Sequence, residues 1–231
     1  MKFVSEVEQE GISLITMDDG KANAMGFQML AELDAALERS INYADVTILR
    51  GRKGLLSAGF DLKIIQEGTS EEKSELVSKG ISVLMKLFGL ANPLIVSVPG
   101  HAVALGGFLT LVGDYRIGLQ GDYKIGLNET AIGLPLPMFG LELVKHRLNP
   151  AYVTRSAITA ELFSPEEAVK VGFLDVVVSE GALTKEAFSV ARRMMSLDKP
   201  AMQKTKSDLR RELIARVLDY HDIRRGGNSN G

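Results

Sequence analysis

Residues 97–134 read SVPGHAVALGGFLTLVGDYRIGLQGDYKIGLNETAIGL, and no other stretch constrains the chain as tightly. A largely apolar LIVSV run (94–98), the pattern of a buried strand, meets a turn of small residues, and Gly106-Gly107 then open an apolar helix. The first turn of a helix leaves backbone N–H groups unpaired and concentrates positive potential there. Such an end can stabilise an oxyanion. Beyond that helix stands Glu129, flanked by Ile125, Gly126, Leu127, Ala131 and Ile132, with no lysine between 125 and 140. An apolar setting disfavours the charged carboxylate and makes it a better base near neutral pH. An anion-stabilising helix end and one such carboxylate point to proton abstraction next to a carbonyl.

Several function classes are excluded by composition. The chain has no cysteine, so disulfides, thiolate metal sites and cysteine nucleophiles are ruled out. His101, His146 and His221 lie far apart with no HxxxH or HExxH spacing, so no metal site is expected. The net charge is −2 and no basic patch suggests nucleic acid. The Arg192-Arg193, Arg210-Arg211 and Arg224-Arg225 pairs fall in mixed-charge helical segments, where a solvated face or a local anion contact accounts for them. No apolar run approaches a membrane span, and the leading MKFVSEVEQEG lacks the apolar core of a signal peptide. A cytoplasmic location is expected.

Hydrophobic spacing organises the rest. Strands are predicted at 11–17 and 46–50. Apolar residues at 27, 30, 33 and 37 predict a helix over 27–40, and residues 71–88 read as a long amphipathic helix stopped by Gly89. SAGFDLKII (57–65) reads as a loop entering a helix, and DYRIGL (114–119) as a strand. After Phe139 the texture changes, with helices predicted at 139–148, 150–158, 165–171, 183–196 and 200–218 and one strand at 175–178. SPEEA (164–168) marks a helix start, with serine as N-cap, proline at the first position and acids in the first turn. No solenoid repeat is present. An α/β core followed by a helical extension is the expected architecture.

Two turns look alike: residues 57–61 (SAGFD) and 104–107 (ALGG). Small side chains let a ligand approach the backbone, and two such turns can supply two converging N–H donors. Tight strand-to-helix turns are also common in α/β folds, so the glycines alone do not define a site. A nucleophile–base–acid set of Ser57, His101 and Asp114 is the weaker reading. Ser57 lacks the GxSxG turn, and His101 has no evident orienter.

With these residues in view, the sequence resembles the crotonase (enoyl-CoA hydratase/isomerase) superfamily over nearly its whole length, from about Val4 to about Ala215. SAGFDL matches the family's first oxyanion loop, GHAVALGG with GDYRIG the second, and SPEEAVKVGFLDVVV continues the match. The resemblance implies a spiral of ββα units with a C-terminal helical region that builds trimers, often paired into hexamers. It implies a core with the acyl-CoA site over 1–138 and a helical oligomerisation region over 139–225, while the Gly/Asn-rich composition of 226–231 predicts a disordered tail. It places the two oxyanion donors on the N–H groups of Phe60 and Leu105, with Gly106 following the second. Lys21, Ala22 and Ala24 of KANA, with Ala58, Gly59, Asp61 and Leu62, would contact CoA.

The departure from the family pattern is Phe108. Hydratases of the family carry two catalytic glutamates; the first falls on Phe108, which cannot hold or deprotonate water, and the second on Glu129. Hydration uses the pair, whereas shifting a double bond needs one base. The resemblance is therefore closest to the Δ3,Δ2-enoyl-CoA isomerase branch, with Glu129 as base, Phe108 as an apolar wall against water, and no cofactor beyond the substrate's CoA. Another crotonase-type reaction such as hydration, or an acyl-CoA binding protein without catalysis, are the alternatives.

Overall fold

The computed structural model describes residues 1–227; of the expected disordered tail, Asn228 onward lies outside the described residues. The first six elements are β1 (Val4–Gln9), β2 (Ile12–Met17), α1 (Phe27–Tyr43), β3 (Val46–Arg50), β4 (Gly54–Ser57) and α2 (Leu62–Glu67). They are followed by α3 (Ser70–Phe88), β5 (Leu94–Val98), β6 (Gly100–Val103), α4 (Leu105–Leu111), β7 (Tyr115–Leu119) and β8 (Ile125–Gly126). The remainder comprises α5 (Met138–Arg147), α6 (Val153–Ala157), β9 (Leu162–Phe163), α7 (Pro165–Val171), β10 (Val176–Val178), α8 (Leu183–Met195) and α9 (Lys199–Gly227). None of the described helices is long and apolar enough to cross a membrane.

Two sheets organise the chain. The larger runs β1-β2-β3-β5-β7-β10 and the smaller β4-β6-β8-β9. Each of the successive pairs β3/β4, β5/β6 and β7/β8 sends its first strand to the larger sheet and its second to the smaller. Helices follow each pair, which is the ββα spiral. All pairings after β1–β2 are parallel except β8–β9. The apolar runs of β3 and β5 follow from position, since central parallel strands are covered on both faces. On one face of the larger sheet, Ile48, Ile95 and Ile117 pack under Phe188 and Ala191 of α8. On the other, Leu49, Val96 and Val98 join a core with α1, α3 and α4.

The helices lie close to their predicted spans, because caps and periodicity are local. Ser164 and Glu167 form a reciprocal capping box, and Gly172 ends α7 in the left-handed region at φ 101°. Thr69 and Glu72 cap α3 the same way. Three differences stand out. The edge strand β1 escapes the pattern because VSEVEQ carries few apolar residues; it is paired through a tight hairpin with Glu10 and Gly11 both at positive φ. The predicted helix at 150–158 divides into a 3₁₀ turn (Pro150–Tyr152) and α6. The final helix runs on to Gly227, taking Gly226 and Gly227 with it. The strand predicted at 175–178 is β10, which completes the larger sheet, while β9 adds an unforeseen strand to the smaller one.

Candidate active site

The turn after β4 and the turn after β6 meet. Gly59 sits at φ 109°, and a methyl group built on it would lie 2.9 Å from Ala104 Cβ and 3.6 Å from Leu105 N. Ala104 itself has φ 54°, an unusual conformation for a residue with a Cβ, and forms the N-cap of α4 without a side-chain cap bond. Leu105 is the first residue of α4, so its N–H has no partner within the helix. Among the described residues neither the Phe60 nor the Leu105 N–H donates to a protein acceptor. Gly106 and Gly107 are required by close backbone approach: a methyl on Gly106 would lie 2.1 Å from Ser57 O, and one on Gly107 2.5 Å from Gly126 O. These contacts hold both donors beside one cleft.

That cleft has a volume of about 270 Å³ and a mostly apolar lining, including Ala58, Phe60, Leu62, Leu105, Phe108 and Phe139. Among the described residues, Asn128 and Glu129 are its only polar lining side chains. Glu129 is 9% exposed, and its Oε2 has no hydrogen-bond partner; Asn128 Oδ1 is likewise buried and unpartnered. Burial raises the Glu129 carboxyl above the ordinary glutamate value, more strongly than the N–H groups of Glu129 and Asn128 lower it. The residue is held from below. Leu127 is fully buried, Leu134 N–H donates to Glu129 O at 2.9 Å, and Thr130 Oγ1 donates to Ala157 O at 3.0 Å. Phe108 is buried and meets Phe139 edge-on with ring centroids 5.2 Å apart.

The KANA segment abuts the first turn: Ala58 N–H donates to Ala22 O at 3.1 Å and Met25 N–H to Gly59 O at 2.9 Å. Asn23 pins this loop, its amide donating to Met17 O and Leu56 O. Asp61 caps α2 by accepting from Lys63 N–H. Lys21, Ala22, Ala24 and Asp61 lie outside the cleft lining, whereas Ala58 and Leu62 line it. Sequence reasoning missed Asn128, Val77, Leu134, Pro135 and Pro137 as lining residues. The amphipathic pattern of α3, with Val77, Ile81 and Leu84 on one face, was the one signal that could have found Val77.

Ser57, His101 and Asp114 do not form a triad. The Ser57 hydroxyl donates to Asn23 O at 2.7 Å and accepts from Gly59 N–H. His101 Nδ1 accepts from Lys124 N–H, and its ring meets Tyr123 edge-on. Asp114 pairs with Lys206 and Arg210. Each is occupied elsewhere. Among the described residues no three His, Asp or Glu side chains gather in a way that could hold a metal.

A buried carboxylate with one oxygen unpartnered, two free N–H donors and an apolar cleft can remove a proton next to a carbonyl and stabilise the resulting anion. Known proteins are similar to this chain over most of its length. Human mitochondrial enoyl-CoA delta isomerase 1 is 29% identical over 217 residues, covering 92% of this chain and 72% of the human protein. Carnitinyl-CoA dehydratase of Salmonella enteritidis is also 29% identical, over 188 residues, covering 79% and 70%. A crystal structure of an enoyl-CoA hydratase/isomerase family protein from Pseudomonas syringae superposes with a TM-score of 0.92 at 36% identity, covering 97% of each chain. The family model described as enoyl-CoA hydratase/isomerase matches residues 7–225, and the chain belongs to that family.

Proposed function

We propose that the protein is an isomerase that moves the double bond of a 3-enoyl-CoA to the 2-position. Glu129 removes the C2 proton, the thioester oxygen of the resulting enolate is held by the Phe60 and Leu105 N–H groups, and the proton returns at C4. Each donor is worth on the order of 10²–10³ in rate, and the base about 10²–10⁴. The observation that carries this reading is that, among the described residues, Glu129 is the only carboxylate lining the cleft, with Phe108 one turn into the oxyanion helix. One base suffices for a 1,3-proton shift, whereas adding water needs a second group to hold it, and Phe108 offers none.

The same reading assigns CoA to the loop of Lys21, Ala22 and Ala24 and to residues 58–62, supported by their hydrogen-bonded contact. It requires no cofactor beyond the substrate's CoA. It includes assembly as a homotrimer, or as two stacked trimers, through the C-terminal region. The exposed Leu197 and Leu209, which border a groove between α8 and α9, support this, and light scattering measures it. A hydration reaction is the second reading, favoured by the equal similarity to a dehydratase.

The deciding experiment incubates the protein with 3-hexenoyl-CoA and, separately, 2-hexenoyl-CoA in D₂O, following absorbance and deuterium uptake. Conjugation of the 3-enoyl substrate with no hydration of the 2-enoyl one is expected. Hydration supports the second reading, and acyl-CoA binding without exchange indicates a binding protein.

A further inference from the structure

Of the phenylalanine rings that line the cleft, Phe60 and Phe108 each have a glycine behind them. A methyl group built on Gly80, in the middle of α3, would lie 2.6 Å from both Cε1 and Cζ of Phe60. One built on Gly140, in the first turn of α5, would lie 2.6 Å from Cζ and 2.9 Å from Cε1 of Phe108. Real carbon contacts do not reach such distances, so each ring occupies a notch that only glycine leaves open. Neither glycine reaches the cleft itself; both act through the ring in front of them.

The backbones carrying these rings cannot retreat. Gly59 O accepts from Met25 N–H and Gly59 N–H donates to Ser57 Oγ, which fixes the peptide before Phe60. Phe108 lies inside α4, donating to Ala104 O and accepting from Val112 N–H. A ring displaced from its notch therefore turns about its side-chain bonds, and the open side is the cleft. On the other flank Phe108 already meets Phe139.

We propose that Gly80 and Gly140 are specificity-determining positions, which set the width of the acyl slot by letting the Phe60 and Phe108 rings sit back from it. The inference rests on the acyl-CoA reading above and adds the substrate class: thioesters of slender hydrocarbon chains. Among the described residues, the lining offers a polar substituent no side-chain partner except Asn128 and Glu129. Because the Phe60 donor is a backbone group, its side chain can be shortened without removing the donor.

The test is calorimetric binding of CoA, butanoyl-CoA and octanoyl-CoA, saturated thioesters that require no turnover. Gly80→Ala and Gly140→Ala each weaken both acyl-CoAs by about 10-fold or more, as filling a snug apolar slot does, while CoA affinity stays within about twofold. Gly80→Ala with Phe60→Leu, and Gly140→Ala with Phe108→Leu, recover acyl affinity to within about threefold, a non-additivity expected of touching residues. Alanine favours helix over glycine, so neither single variant lowers the melting temperature through its helix. Wild-type acyl affinity in the alanine variants, equal loss of CoA and acyl-CoA, or no recovery in the double variants overturns the proposal. A wild-type protein that binds acyl-CoAs no more tightly than CoA overturns the acyl-CoA reading, and the proposal with it.

Discussion

Lys206 Nζ lies 2.5 Å from Asp114 Oδ2, joining the last helix to the start of β7 across ninety-two positions of sequence. Arg210, one turn on, reaches the other carboxylate oxygen at 2.8 Å while its guanidinium covers the Phe88 ring at 4.2 Å. Lys206 also donates to Asn92 O, and Arg210 to Phe88 O. One carboxylate thus compensates two nearly buried cations.

Removing that charge leaves both cations uncompensated. Asp114→Asn is expected to destabilise the fold by about 3 kcal/mol, the usual cost of breaking a buried pair by deleting one partner. A urea titration measures it as a lower midpoint with little change in slope. A midpoint equal to wild type would mean that the cluster is hydrated and contributes nothing.

Glu129→Gln removes a buried charge and the proposed base together. Turnover should fall by about 10²–10⁴, with acyl-CoA affinity nearly unchanged. Stability should rise by about 1 kcal/mol, roughly 2–4 °C in melting temperature for a chain of this size. Functional groups held in unfavourable surroundings commonly show this trade. A variant with wild-type kcat removes Glu129 from the mechanism.

The pH dependence follows from the raised Glu129 carboxyl. Only the ionised form accepts a proton, so kcat/KM should climb with pH through a value above the ordinary glutamate range, and this limb should vanish in Glu129→Gln. The stability sign is opposite. Between the unfolded and folded titration points the folded state binds more protons, so this group's contribution falls as pH rises through that window and stays low at neutral pH. An acid limb at the ordinary glutamate value would contradict the burial of the base.

Gly59 separates backbone strain from loss of the oxyanion site. Gly59→Ala forces a methyl against Ala104 at positive φ, parting the two turns, and should lower the rate by about 10²-fold. Gly181 also has positive φ, but a methyl group there would meet nothing within 4 Å. Gly181→Ala should cost stability alone, about 1 kcal/mol. Equal kinetic losses in both would show that strain, not donor spacing, governs the rate.

Much of this molecule is decided by neighbours in sequence. Helix spacing, the Ser164–Glu167 and Thr69–Glu72 boxes, and the small residues of the two turns act over three or four positions, so α1, α3, α7 and α8 were legible from the chain alone. Glu129 was legible as well, because the apolar residues that desolvate it include its immediate flanks. The two-residue strands β8 and β9 were not, since a partner strand rather than composition defines them. Ser57, His101 and Asp114 were already the weaker reading from the chain alone, but their actual partners Asn23, Lys124 and Lys206 could be seen only in the structure. The seating of Phe60 on Gly80 and of Phe108 on Gly140 was invisible for the same reason. By itself the sequence determined the periodic elements, the two small-residue turns and the apolar flanks of Glu129. Tertiary structure decided which turns meet, what walls the cleft and which charges are paired, because close packing and buried electrostatics depend on distance through space, and chain connectivity leaves that distance open beyond a few residues.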